Sequence, residues 1–127
     1  MDLWIQEFEA LIAIARAHLD SQWLRAEVVV LKTTKGNIYV AEIPDHADHI
    51  TREQLENERV RQMVQADDTE VSFCLATIDG KHPDILSWNF RKRLIEADQN
   101  NLETVCFLWG GDDKIHAKPF QSLLPPK

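Results

Sequence analysis

The stretch Ala26–Ile43, AEVVVLKTTKGNIYVAEI, limits what this chain can fold into more than any other. Two runs rich in Val, Ile and Tyr flank Thr34-Lys35-Gly36-Asn37, and branched and aromatic side chains suit a pleated, half-buried surface. Gly36 supplies the positive φ of a tight turn, and Asn37 tolerates the left-handed region. The stretch therefore reads as a β-hairpin set into a sheet.

The flanking pattern is helical. Trp4, Phe8, Leu11, Ala15 and Leu19 recur at three- and four-residue steps over residues 3–20, which predicts a helix with a wide apolar face. After the hairpin comes a loop at 44–49, then a second helix over about residues 51–65, with Thr51 and Gln54 in capping-box spacing. Its only apolar residues are Leu55, Val60, Met63 and Val64, so it belongs at the periphery. Thr69–Ile78 reads as a central strand whose small Ser72, Cys74 and Ala76 leave room for a helix above. Residues 79–84 form a loop. Ser87 is the expected N-cap of a third helix over about 88–98. Glu103–Trp109 is another buried strand, with Trp4 and Trp109 assigned to the core, and Gly110-Gly111-Asp112-Asp113 turns it into a short partner at 114–117. Pro119, Pro125 and Pro126 keep residues 119–127 as an extended tail. The order α-β-β-α-β-α-β-β predicts one α+β domain over 1–127. It is two-layer, with a mixed five-stranded sheet and about three helices mostly on one face. Each strand–helix–strand crossover is expected to join parallel neighbours.

At 127 residues the chain can bury a core without metal or disulfide. No apolar run approaches the roughly 18 residues of a membrane span. The first residues carry acids where a signal peptide has basic ones. Cys74 and Cys106 lie in apolar strand-like runs and read as buried thiols in a reducing compartment, hence a cytoplasmic protein. The net charge of −7 is unevenly placed: residues 1–70 hold 14 acidic against 7 basic side chains, and residues 71–127 hold 7 of each. That field repels phosphate backbones, which speaks against nucleic acid, and attracts basic proteins.

Three constellations invite chemistry. Asp45-His46-Ala47-Asp48-His49 packs metal-type ligands closely, but a site needs three or four that converge. No second cluster accompanies His46 and His49. The stretch is read as a polar loop leading into the second helix, with no metal assigned. In Asp79–Arg93, cations sit near a helix start, where acids are preferred. Lys81, His82, Arg91 and Arg93 are therefore candidates for an anionic small molecule. Trp23 and Trp88 lie at element boundaries, where an exposed ring can anchor a partner.

No Gly-x-Ser-x-Gly elbow, cofactor motif or nucleophile–base pair is present, so no catalytic residue is assigned. The expected function is a small acidic protein-interaction domain, of inhibitor, immunity or regulatory-adaptor type, binding a basic partner through Glu53, Glu56, Glu58, Asp67 and Asp68. The alternative is a binding domain or modest enzyme that holds an anionic small molecule on the 79–93 segment.

Overall fold

The computed structural model describes residues 3–20 and 26–124. Helix α1 (Leu3–Asp20) is followed by strands β1 (Ala26–Thr33) and β2 (Ile38–Pro44), helix α2 (His49–Gln65) and strand β3 (Val71–Thr77). A two-residue strand β4 (Pro83–Asp84), helix α3 (Trp88–Ala97), strands β5 (Val105–Trp109) and β6 (Ile115–Pro119) and two short 3-10 turns complete it. Gly36 turns the β1–β2 hairpin at φ +90°. Ser87 caps α3, its hydroxyl accepting the Phe90 amide at 3.2 Å.

The main sheet runs β2-β1-β3-β5-β6, with β4 paired to β3 off this path. The expected α+β class, mixed sheet and helices gathered mostly on one face are all found. One expectation fails. β3 and β5 are parallel neighbours as predicted, but β1 lies antiparallel between β2 and β3. The β2–α2–β3 crossover thus passes over the hairpin's own first strand. Two local readings also change. Asp48, not Thr51, caps α2: its carboxylate accepts the Thr51 amide at 2.7 Å, and negative charge is favoured at that end. Phe120–Leu123 forms a 3-10 turn rather than extended chain, with Phe120 fully buried.

Alternation along the strands divides the core in two. Val28, Val30, Leu75 and Phe107 meet α1 through Leu11, Ile12 and Ala15. On the other face Val29, Leu31, Cys74, Ala76 and Cys106 meet Met63 of α2 and Phe90 and Leu94 of α3. The small Cys74 and Ala76 admit α3 closely, as their size predicts. No described helix is long and apolar enough to cross a membrane.

Phe107 gathers three rings: Phe73 stacked at 5.8 Å, Phe8 edge-on at 5.6 Å and Trp4 tilted at 6.0 Å. It is fully buried, so Phe107→Ala removes both transfer energy and packing. Urea unfolding should show a loss of about 3–5 kcal/mol.

Candidate functional site

Because β2, β3 and β5 run the same way, their carboxyl ends share one edge of the sheet, and the amino end of antiparallel β1 lies there too. A cleft of about 490 Å³ opens at this edge, lined by Ile78, Asp79, His82, Pro83, Asp84 and Trp109. That volume suits a small molecule, and the carboxyl edge of an open sheet is where ligands commonly bind. Ile78 also lines a smaller adjoining hollow with Ile43, Pro44, Ala47, Glu27 and Arg52.

The loop after β3 is shaped by one carboxylate. Asp79 Oδ1 accepts the amides of Lys81 and His82, each at 2.8 Å, while Oδ2 lies 2.6 Å from His82 Nδ1. Gly80 adopts φ +75° and is buried against α1, where its carbonyl accepts Arg16 Nε at 3.3 Å. Thr77 Oγ1 accepts the Gly80 amide at 3.0 Å and donates to the His82 carbonyl at 3.0 Å. The chain then returns to β3 as Pro83 and Asp84. The His82 ring meets Trp109 edge-on at 4.5 Å. Burial works to raise the Asp79 carboxyl, but the His82 and Lys81 amides and the His82 ring outweigh it and hold the group well below the usual range.

Beside the cleft, α2 and α3 are tied by a carboxylate with no solvent exposure. Glu56 accepts Ser87 Oγ at 2.7 Å, Asn89 Nδ2 at 3.0 Å and Arg52 Nε at 3.2 Å. The Arg52 guanidinium also donates to Glu27 of β1. Burial raises the Glu27 carboxyl above its ordinary range against the pull of Arg52, and Glu56 and Asp84 add to the rise.

The residues expected to bind a basic partner do not assemble. Glu53 pairs with His49 at 3.6 Å, Glu58 pairs with Arg61, and Glu56 is wholly internal. Asp67 takes the left-handed conformation in the turn after α2 and offers its carbonyl to Lys35. Asp68 is buried and accepts Asn37 at 2.8 Å and Tyr39 at 3.1 Å. Trp23 lies outside the described residues. Trp88 is partly exposed, with the Arg91 guanidinium 5.3 Å from its ring centre.

The anion candidates disperse as well. Arg91 is buried and donates to the carbonyls of Leu86 and Leu123, holding the C-terminal 3-10 turn to the start of α3. Arg93 pairs with Glu96 at 3.7 Å, and Lys81 is exposed. Only His82 lines the cleft. His46 is exposed, and His49 opens α2. Trp109 was expected in the core but is 39% exposed, because it is the last residue of β5 and its ring passes beyond the packed layer.

Asp79, Asp84, Glu27 and Arg52 escape a reading by pattern. One signal was available: Asp79-Gly80-x-His82 puts a carboxylate three residues before an imidazole in a glycine turn, the local spacing at which the two can meet.

No protein-family model matches this chain, and no curated protein matches it in sequence. Among solved structures it is similar to the cytidine deaminase from Bacillus anthracis. The TM-score is 0.62 at 17% identity, with 91% of this chain and 84% of that one covered. The two share a fold. That likeness overturns the acidic protein-interaction reading: the fold is one shared with a cytidine deaminase, and Glu53, Glu56, Glu58 and Asp68 are paired with this chain's own groups.

The depressed Asp79 pKa has a pH signature. Its contribution is fully present above the unfolded carboxyl value, about 3.9, and is lost as pH falls through the lower folded value. In urea titrations the stability gap between wild type and Asp79→Asn should hold from pH 7 to about 5 and narrow below about 4. A gap that widens in acid would contradict this assignment.

Proposed function

We propose that the cleft between Ile78 and Trp109 holds a flat, amine-bearing heterocycle of the nucleoside class, and does so without zinc chemistry. The carrying observation is the lining itself. Two carboxylates, an imidazole and a partly exposed indole meet at the carboxyl edge of a sheet shared in fold with a cytidine deaminase. Ile78 and the Trp109 ring offer a surface for stacking, which every base can use. Asp79 and Asp84 accept hydrogen bonds from ring amino groups. No Lys or Arg lines the cleft and two carboxylates do, so the lining disfavours a phosphate. The anionic ligand expected from the 79–93 segment is therefore not favoured here.

Zinc deaminases carry an H-x-E…P-C-x-x-C signature, in which a His and two Cys hold the metal and the Glu moves protons. The matching spacing in this chain is His46-Ala47-Asp48 before α2 and Pro83-Asp84-Ile85-Leu86-Ser87 before α3. Asp84 and Ser87 stand where the signature has cysteines, and Asp48 where it has Glu. Asp48 and Ser87 are engaged as helix caps, and the Ser87 hydroxyl is donated to Glu56. Cys74 and Cys106 are buried within strands, and burial pushes the Cys74 thiol well up. Among the described residues no three His, Cys, Asp or Glu gather as metal ligands. These residues do not fit the ion. The two unbridged thiols suit a reducing, cytoplasmic setting.

Thermal shift and calorimetry with cytosine, cytidine, adenosine and cytidine monophosphate test the reading. A base or nucleoside at a hundredfold its Kd should stabilise the fold by about 2.7 kcal/mol. Trp109→Ala should weaken binding about tenfold or more, given the worth of base stacking. No response to any base or nucleoside at millimolar concentration, or tighter binding of the phosphorylated compound, would defeat it.

A further inference from the structure

We propose that the Arg52 guanidinium, clasped by Glu27 and Glu56, takes over the tie that a zinc ion makes in deaminases of this fold, joining the starts of α2 and α3 to the sheet. In a zinc deaminase the metal draws on residues from both halves of the signature. Here those halves lead into α2 and α3, and the donors that would span them are missing. Ala47, Leu86 and Phe90 pack near the two helix starts, and a polar tie still has to fix how those starts sit on the sheet.

The Arg52 cluster meets that need. Arg52 sits in the first turn of α2 and reaches Glu27 on β1. Through Glu56 Oε2 it is linked to Ser87, the cap of α3, and Asn89 of α3 completes the acceptor set of Glu56. Three elements thus meet at one cation. Glu56 has no solvent exposure and Glu27 only 15% for its side chain, so neither carboxylate could lose its partner at small cost. A guanidinium suits the task because its planar fork can serve two carboxylates at once, whereas a lysine ammonium is a single point charge. Glu27 and Arg52 line the hollow that adjoins the cleft at Ile78, but no residue of the cluster lines the cleft itself, so the stability tests do not depend on which ligand the cleft takes.

Four measurements decide the matter. Elemental analysis of the purified protein should find far less than one zinc per chain, and excess chelator should leave the unfolding temperature unchanged. Arg52→Met and Glu56→Gln should each lower that temperature, by about 5 °C or more for Arg52→Met, and Arg52→Lys should restore little of it. If Arg52→Met does not fold, the milder Glu56→Gln decides, since both carboxylate oxygens face donors and an amide must turn its NH2 onto one of them. Finally, Asp84→Cys with Ser87→Cys restores the two cysteines of the signature. Zinc alone should stabilise this pair of substitutions only when Arg52→Met is added. One zinc per chain, sensitivity to chelator, an unchanged unfolding temperature in Glu56→Gln, or equal zinc stabilisation with Arg52 present would each overturn the proposal.

Discussion

The antiparallel pairing of β1 with β3 decides where everything else can go. Its register, Val28 opposite Thr77 through Lys32 opposite Phe73, puts the hairpin's first strand inside the sheet beside the central β3 and leaves β2 at the edge. The link from β2 to β3 must then cross over β1, and α2 is laid on the face that α3 also occupies. Right-handed crossovers over a twisted sheet leave little choice in this. A consequence is that β2, β3 and β5 end at one edge while β1 begins there. Glu27, Pro44, Ile78 and Trp109, scattered over the sequence, become walls of two hollows that share Ile78.

What alternation and capping rules control was legible beforehand. The hairpin follows from Gly36, the start of α3 from Ser87, and the buried thiols from the apolar runs around Cys74 and Cys106. The failures have a common origin. Periodicity says which way a side chain points but not where the layer above it stops, so Trp109, on the correct face, was assigned to a core that ends before it. Counting charge has a similar blindness, since a sum over residues takes no account of pairing. Glu53 and Glu58 have partners within one turn of α2, and Glu56 turns inward to three donors. None of this alters the sum of −7.

Glu56 also explains how so polar a helix stays docked. The buried residues of α2 are Glu56, Val60 and Met63, too thin an apolar edge to fix its rotation alone. Hydrogen bonds supply the direction that the hydrophobic effect lacks, because each acceptor position on the carboxylate demands its own donor. Such an arrangement need not add much net stability, since desolvating the charge offsets most of the gain. Its effect is on specificity of packing. α2 turned by one residue would take the buried carboxylate away from its donors Ser87 and Asn89.

The two halves of the core, around Phe107 on one face and Phe90 on the other, leave out His46, Asp48, Asp84 and Ser87, although Leu86 and Ala47 beside them pack into the second. Those positions lie in the segments that lead into α2 and α3, where the backbone asks only for a small polar cap. Asp48 and Ser87 satisfy that requirement as caps. Exchange of residues at these positions therefore costs the core little, provided the helix starts keep a common anchor. A carboxylate and a guanidinium on adjoining turns of α2 are enough to provide one, which is why sites on such segments can diverge faster than the sheet that positions them.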